Sequence, residues 1–285
     1  MRRVVPGDLP AIEAFLRART PRAMFPLSNL ARYGLDGEHP YAPRFWAAWS
    51  GASVTDVLCL STNGTVMPVL PSGDAGPALE VLRGREVCRV IGPAEECRPL
   101  IDGLGLTGRP VDLDQDEPHF AMDLADLRVP DGPGILHPLR QADRDVLLDW
   151  TAAYNAETLG QEPEAARREA MRDLDLRIET GSHRVLMAGD APLAMTGFNA
   201  TIPDCVQIGG VYTPPGLRGR GHARRAVALH LAEARRAGAT RATLFASGPP
   251  AIRAYEAIGF QRIGTWTLFL MKTPVRVPAR GSADG

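Results

Sequence analysis

Residues 206–237 read VQIGGVYTPPGLRGRGHARRAVALHLAEARRA, and this stretch decides the fold of the second half of the chain. Its first seven residues are rich in β-branched and apolar side chains, which predicts a strand that ends at the Pro214-Pro215-Gly216 turn. The Ala/Leu/Arg-rich segment from about Gly221 predicts a helix with small residues on its sheet-facing side. A strand, a glycine turn and a helix N-terminus in this order favour the binding of an anion such as phosphate.

The turn before this helix reads Arg218-Gly219-Arg220-Gly221. Its two glycines would let the backbone approach a ligand without a Cβ clash, and its two arginines would supply donors for phosphate oxygens. The turn lacks the Gly-Lys-Ser/Thr of a P-loop and the GxGxxG of a dinucleotide fingerprint. Taken alone, it fits an ordinary loop before a helix as well as it fits a phosphate site.

Two motifs in this half resemble those of the GNAT superfamily of acyl-CoA-dependent N-acyltransferases. Arg218–Ala223 (RGRGHA) matches the signature Arg/Gln-x-x-Gly-x-Gly/Ala, and Ala251–Phe260 (AIRAYEAIGF) is similar to Ala-x-x-x-Tyr-Glu-x-x-Gly-Phe. The motifs stand in the order and at the separation usual in that family. The resemblance implies an α+β fold with three layers, in which helices flank a mixed, mostly antiparallel central sheet.

The same resemblance implies the residues of an acetyl-CoA site. Backbone N–H groups of residues 219–224 would bind the pyrophosphate, and the backbone of residues 211–213 would pair with the pantetheine arm like an added strand. Tyr255 stands at the position of the general acid, where a phenol with a reference pKa of about 10 can donate a proton to the departing thiolate; the alternative is a packed aromatic. The implied cofactor-binding residues are Val211, Tyr212, Thr213, Arg218, Gly219, Arg220, Gly221, His222, Ala223 and Arg224.

The chain departs from the family pattern at two places. Gly248 replaces the Asn often found seven residues before the tyrosine, so one contact to CoA is missing or is supplied by Ser247. Thr243 falls about where some members carry a catalytic Glu, which leaves the general base open. Glu157 is the first candidate base, although a solvated helix face explains it equally well, and a water relay or deprotonation by solvent would need no base residue. Weaker candidates are Asp204 and His183.

With 285 residues, the chain can hold one large domain or two of ordinary size. Its first half repeats the kinds and approximate order of elements in the second half, which favours two GNAT-like domains in tandem. We predict a degenerate N-terminal domain over residues 1–130, an acetyl-CoA-binding domain over 131–274 and a loose tail over 275–285, with Val129–Gly134 as the linker. In the first half, Val90–Glu95 replaces the Arg/Gly turn and places acid where phosphate would lie, so we expect no CoA binding there.

The composition of the chain argues against several classes of function. Hydrophobic residues at 45% and charged residues at 23% are typical of a soluble globular protein, and a net charge of −1 argues against a dedicated nucleic-acid binder. We see neither a signal peptide nor an apolar run long enough to cross a membrane, and the four scattered cysteines suit free thiols in a reducing cytoplasm. The sequence therefore predicts a cytoplasmic bacterial protein without metal, nucleic-acid or membrane partner, either a monomer or a homodimer.

The leading hypothesis is an acyltransferase that moves an acetyl group from acetyl-CoA to an amine of a small-molecule or peptide acceptor, by direct attack in a ternary complex. The alternative is a non-catalytic acyl-CoA-binding or regulatory module on the same fold, which the missing Asn favours and the retained Tyr255 opposes. An RNA-associated protein is opposed by the near-zero net charge. The arginines within residues 167–177 would suit an acidic acceptor. The acidic residues within 112–117 would suit a cationic acceptor, so the sequence leaves the class of acceptor open.

Overall fold

The computed structural model describes residues 1–246 and 248–279. The predicted contact of Ser247 with CoA, and the part of the predicted tail over 280–285, therefore lie outside the described residues. Within the described ranges, no helix is long and apolar enough to cross a membrane. The strands are β1 (Arg2–Arg3), β2 (Pro43–Ser50), β3 (Ser53–Ser61), β4 (Thr65–Val69), β5 (Glu86–Pro93), β6 (Val111–Asp123), β7 (Ile135–Pro138), β8 (His183–Ala188), β9 (Ala191–Ile202), β10 (Cys205–Tyr212), β11 (Arg241–Phe245) and β12 (Gln261–Arg276). The helices are α1 (Leu9–Arg17), α2 (Thr20–Tyr33), α3 (Gly76–Leu82), α4 (Ala94–Gly103), α5 (Arg144–Leu159), α6 (Pro163–Thr180), α7 (His222–Arg236) and α8 (Pro249–Ala257).

The chain forms two compact units. The first contains Met1–Glu117 and the C-terminal stretch that starts at Gly264, and the second contains Pro118–Ile263. Strands β6 and β12 each belong to one unit over part of their length and to the other unit over the rest. The bounds of the units therefore differ from the predicted 1–130 and 131–274, because a long strand can leave one unit and continue in the next. Each unit has a mixed, mostly antiparallel sheet flanked by helices, which confirms the predicted fold class.

In the first unit the strand order is β1-β2-β3-β4-β5-β12. Neighbouring strands are antiparallel except β4 and β5, which are parallel over two residue pairs. Helices α3 and α4 cover one face, where Trp46 and Leu58 meet Phe269 in a buried apolar core. The prediction of a loose tail is wrong at its start, because β12 continues to Arg276 and Val277 is buried in that core.

The turn between β4 and α3, residues 70–75, follows the parallel strand of the first unit as the Arg/Gly turn follows the corresponding strand of the second. The predicted counterpart, Val90–Glu95, is wrong, because it lies at the end of β5 and the start of α4. Three carboxylates accept hydrogen bonds from N–H groups in and directly after the true counterpart. The pairs are Glu96 with Leu70 (2.8 Å), Asp56 with Ser72 (3.0 Å) and Asp74 with Gly76 (2.9 Å). Acids of the protein therefore stand where an anionic ligand would bind, which supports the expectation that this half does not bind CoA.

Glu96 makes the stability of the first unit depend on pH. Burial raises the pKa of its carboxyl to about 7, although the Leu70 N–H and the Arg22 guanidinium favour the charged form. Between the ordinary pKa of a glutamate and about 7, the folded protein holds a proton that the unfolded chain releases, so the free energy of unfolding falls as pH rises. Between pH 5 and 8, the free energy of unfolding of Glu96→Gln should therefore fall by about 2.5 kcal/mol less than that of the wild type.

Urea unfolding at pH 5, 6, 7 and 8 measures this difference. The matched control is Glu95→Gln, because Glu95 is exposed and also pairs with Arg22. The control should keep most of the wild-type slope, because Glu95 is only a minor cause of the raised pKa of Glu96. Equal slopes for the wild type and Glu96→Gln would contradict the prediction.

The second unit has the strand order β6-β11-β10-β9-β8-β7, antiparallel except for the parallel pair β10–β11. Helices α5 and α6 cover one face, where Leu147 and Leu174 pack on Tyr212. Helices α7 and α8 cover the other face, where Val227 and Leu231 pack on Val206 and its neighbours in the core. The predicted small face of α7 is confirmed, and it lets this helix lie close to the sheet.

Strands β10 and β11 separate after a short parallel pairing. Their pairs end at Gln207 and Thr243, while β10 runs on to Tyr212 and β11 to Phe245. Beyond that point β10 is held on its other side by β9, with a bulge between Gly209 and Tyr212 in which Gly210 has φ +61°. A glycine at position 210 favours this bulge, because glycine adopts a positive φ readily. The separation leaves the end of β10 without a partner strand on its β11 side among the described residues.

The predicted linker Val129–Gly134 lies inside the second unit and not at its boundary. The Arg225 side chain on α7 donates hydrogen bonds to the carbonyl oxygens of Pro130 at 2.6 Å, Pro133 at 3.1 Å and Gly134 at 3.3 Å. Proline and glycine keep this segment irregular, as predicted, but one guanidinium ties it to α7. An irregular sequence therefore did not mark a domain boundary here.

Candidate active site

A pocket of about 830 Å³ lies in the second unit, at the end of β10 and between the N-termini of α7 and α8. The last turn of α5 contributes its remaining wall through Glu157 and Thr158. All twelve residues predicted for the site line this pocket. They are Glu157, Val211, Tyr212, Thr213, Arg218, Gly219, Arg220, Gly221, His222, Ala223, Arg224 and Tyr255. Segments far apart in the sequence therefore meet around one cavity.

The N-terminus of α7 presents free backbone donors to this pocket. Gly221 precedes the helix with φ +80°, and the first hydrogen bond of the helix runs from Arg225 N to Gly221 O at 3.0 Å. The N–H groups of residues 219–224 have no hydrogen-bond partner among the described residues. Gly219 has φ +77° and open space where a side chain would stand, so a ligand can reach the backbone here. Free N–H groups at and directly before the positive end of a helix favour the binding of an anion.

The side chains around these backbone N–H groups are also suited to bind a pyrophosphate. Four arginines and one acid line the pocket, so its charge is positive. Thr213 Oγ1 and Arg224 Nε are buried without a hydrogen-bond partner among the described residues, which is costly unless a ligand supplies one. The arginines are Arg218, Arg220, Arg224 and Arg253. The described residues contain no group of three His, Cys, Asp or Glu side chains that could hold a metal ion.

Glu157, the candidate base, is paired in this structure. Its carboxylate accepts a hydrogen bond from Tyr212 OH at 3.1 Å and forms an ion pair with Arg218 Nη2 at 2.6 Å. Arg218 Nε also donates to Thr213 O at 2.9 Å. The Glu157 bond raises the pKa of Arg218, and burial together with Glu157 raises the pKa of Tyr212. Arg218 therefore connects the candidate base to the turn that precedes α7.

Tyr255 lies on α8, near the middle of the predicted second motif. Its side chain is mostly buried, with 9% of the residue exposed, and it lines the pocket. Its ring packs edge-on against Phe260, with 6.0 Å between ring centroids and 75° between planes. The ring is therefore fixed by packing while the residue still borders the cavity, which suits a group that must deliver a proton at a set position.

The weaker base candidates lie away from the pocket. Asp204 forms an ion pair with Arg241 at 2.6 Å, next to the β9–β10 turn and at the opposite end of β10 from Tyr212. His183 is buried on β8 and is not among the described residues that line the cavity. Thr243 is also buried, and its hydroxyl donates to Phe120 O at 2.8 Å. Among these acid–base candidates, only Glu157 borders the same pocket as Tyr255.

Sequence reasoning missed two features of the site. Arg253 lines the pocket two residues before Tyr255, and its place inside the second motif was the available signal. The ion pair of Glu157 with Arg218 spans 61 residues of sequence, and no spacing rule relates the two. His222, which the resemblance implies as a cofactor-binding residue, lines the pocket and is largely buried.

A family model matches the part of the chain that contains these features. The sequence model of the Acetyltransferase (GNAT) family matches residues 145–260, a range that includes both motifs, Glu157 and Tyr255. A search of curated proteins found no match. The matched range lies wholly within the second unit.

Solved structures share the fold over almost the whole chain. A GCN5-related N-acetyltransferase from Kribbella flavida has 18% identity and a TM-score of 0.54, over 90% of this chain and 95% of its own. Another from Sphaerobacter thermophilus has 17% identity and a TM-score of 0.54, over 97% and 96%. A tandem GNAT protein from the clavulanic acid biosynthesis pathway, solved without AcCoA, has 16% identity and a TM-score of 0.52, over 99% of both chains. At these identities the similarity concerns the fold.

Proposed function

We propose that this chain, a tandem GNAT protein whose residues 145–260 belong to the GNAT acetyltransferase family, transfers an acetyl group from acetyl-CoA to an amine. One observation carries the proposal. Six consecutive free N–H groups, residues 219–224, open into the same pocket as a mostly buried tyrosine, Tyr255. An anion site beside a fixed proton donor is what a phosphate-bearing thioester needs for acyl transfer.

Binding of the donor would involve two parts of the pocket. The pyrophosphate would accept hydrogen bonds from the N–H groups at the start of α7 and from Arg220 and Arg224. The pantetheine arm would pair with the free side of residues 211–213, where β10 has left β11. Thr213 Oγ1, buried without a partner among the described residues, would gain one there. The residues present thus fit CoA as the acyl carrier.

The chemistry would be direct transfer between the two bound substrates. The lone pair of a neutral amine attacks the thioester carbonyl carbon, the new C–N bond forms and the C–S bond breaks. The amine nitrogen loses a proton to a base, and the Tyr255 phenol gives a proton to the departing thiolate. The products are the N-acetylated acceptor and CoA with a free thiol, so atoms and charge balance.

Glu157 is the residue we assign as base. In this structure its carboxylate is engaged by Arg218 and Tyr212, at the wall of the pocket. A phosphate that attracts Arg218 would compete for this ion pair, and the carboxylate would then be free to accept a proton from the acceptor amine. The alternative of a non-catalytic acyl-CoA-binding module keeps the same anion site but needs no base, so it differs in turnover and not in binding.

The surroundings of the reaction are part of the proposal. We propose a cytoplasmic bacterial enzyme that acts on a small-molecule or peptide amine, as a monomer or a homodimer, without nucleic-acid or membrane partner. The net charge of −1 and the four unpaired cysteines support this setting. The arginines of α6 do not single out an acidic acceptor, because acids of α5 and α6 pair with several of them, for example Asp149 with Arg167 at 2.7 Å.

Thermal unfolding with and without acetyl-CoA tests the proposal. A ligand that binds only the folded protein at a hundred times its Kd adds about 2.7 kcal/mol to the free energy of unfolding, which raises Tm by several degrees. We expect this shift with acetyl-CoA and with CoA. Incubation with acetyl-CoA and a panel of amines, followed by detection of free thiol, then identifies the acceptor class. A well-folded sample without any shift would overturn the proposal.

A further inference from the structure

His183 lies against the bulge of β10, although it does not line the pocket. From the start of β8 its imidazole reaches across Gly197 of β9 to Gly210 of β10, and a Cβ on either glycine would overlap the ring. Gly210 is the bulged residue with φ +61°, directly before Val211 and Tyr212. A side chain two strands away therefore contacts the backbone that turns into the pocket.

Hydrogen bonds fix the orientation of this ring. Thr180 Oγ1 lies 2.7 Å from Leu176 O and 3.1 Å from Ser182 Oγ, and Ser182 Oγ lies 2.9 Å from His183 Nδ1. The Ser182 hydroxyl and His183 Nδ1 thus share a hydrogen bond that anchors the ring on this side. The other ring nitrogen, Nε2, faces Gly210.

The ring is neutral, and its Nε2 atom has no hydrogen-bond partner among the described residues. Burial, with the nearby charges of Arg177 and Arg184, holds the pKa of His183 well below its ordinary value. A buried polar atom without a partner costs free energy, and an apolar side chain could fill the space without that cost. The histidine instead supplies a flat ring that is anchored at Nδ1 and lies against two glycines, Gly197 and Gly210.

We infer that His183 is a positioning residue for the acyl donor. Its anchored ring holds Gly210 in the bulged conformation, and the bulge directs the backbone of residues 211–213 along the open side of β10. The inference rests on the proposed function, because it is this stretch that would pair with the pantetheine arm. Loss of the ring would let the bulge relax, so the arm and its thioester would be held less well than the phosphates at α7.

His230 provides a matched control in the same unit. It lies on α7, has 2% of its surface exposed against 3% for His183, and also has a ring nitrogen without a partner among the described residues. Its ring stacks on Phe198 with 3.8 Å between centroids. Removing either imidazole leaves a cavity of similar size, but the three atoms nearest to a Cβ on the bulged Gly210 all belong to His183.

The experiment compares His183→Ala and His230→Ala with the wild-type chain by isothermal titration. Two ligands are used: acetyl-CoA, and 3′-phosphoadenosine 5′-diphosphate, which has the phosphates but no pantetheine arm. For His183→Ala we expect acetyl-CoA to bind about tenfold more weakly while the fragment keeps its affinity. For His230→Ala the ratio of the two affinities should equal the wild-type ratio. If the substitutions lowered only stability, the ratio of the two affinities would be the same in both variants.

A second, less disruptive substitution tests the inference if His183→Ala does not fold. Ser182→Ala removes the anchor at Nδ1 and leaves the ring in place, so the affinity ratio should move in the same direction by about threefold. An unchanged ratio in every foldable variant, or an equal loss for both ligands, would overturn the inference. A wild-type chain that binds neither ligand would instead overturn the proposed function, and the inference with it.

Discussion

Replacing Gly221 by Glu is expected to abolish the binding of acetyl-CoA, with a loss in affinity of at least about 100-fold, or about 2.7 kcal/mol. The new carboxylate would stand at the N-terminus of α7, where it would take the place of phosphate on the free N–H groups. Only the tip of the Arg224 side chain lies near the space for the new Cβ, at 3.5 Å, so the side chain itself fits. The thermal shift with acetyl-CoA and with CoA should disappear.

Gly221 has a left-handed backbone conformation, so its replacement by Glu also introduces backbone strain that lowers stability. A control variant must introduce the same strain. Gly189, in the β8–β9 turn of the same unit, has φ +58° and open space around it, so Gly189→Glu introduces the same strain and charge away from the pocket. This control should lose stability to a similar extent and keep the full ligand shift. If Gly221→Glu retains the shift, the N-terminus of α7 is not the phosphate site.

Replacing Tyr255 by Phe should lower kcat by about 100-fold or more and leave the Kd of acetyl-CoA unchanged. The phenol is the proposed proton donor to the thiolate, and such a group contributes factors of about 10² to 10⁴. The ring contact with Phe260 is kept by phenylalanine, so the fold should be unaffected. Once an acceptor is known, thiol release and titration calorimetry measure the two quantities separately.

The same variant separates the enzyme from the binding module. Tyr33→Phe, in the first unit, also removes one phenol hydroxyl. It should change neither kcat nor the Kd of acetyl-CoA, because Tyr33 lies outside both motifs and its ring stacks on His39. Equal turnover of Tyr255→Phe and the wild type would remove Tyr255 from the mechanism. A chain that binds acetyl-CoA but turns over no amine would favour the binding module.

The elements around α7 could be predicted because their signals are local. The strand, the glycine turn and the small-residue face of the helix lie within 32 consecutive residues, 206–237, and the structure confirms each of them. Strand β6 could not be predicted in full, because the acids of 112–117 are unfavourable in an isolated strand. In the fold, Asp114 and Asp116 pair with Arg98, and this tertiary contact decides the local structure.

The composition of the site was predictable and its internal contacts were not. The motifs predicted residues that line the pocket, Tyr255 among them, because their spacing is recognisable in one sequence. The pairing of Glu157 with Arg218, and the support of Gly210 by His183, join residues 61 and 27 positions apart through folded geometry. The turn counterpart in the first unit was misplaced for a related reason: strand pairing, not residue type, identifies it.

The three carboxylates of the first unit show how a turn before a helix can be stable without a bound anion. A buried backbone N–H group that has no hydrogen-bond partner destabilises a fold. Asp56, Asp74 and Glu96 accept hydrogen bonds from three N–H groups in and directly after this turn. The first unit thus carries its own acceptors there, and those N–H groups need no small molecule to complete their hydrogen bonds.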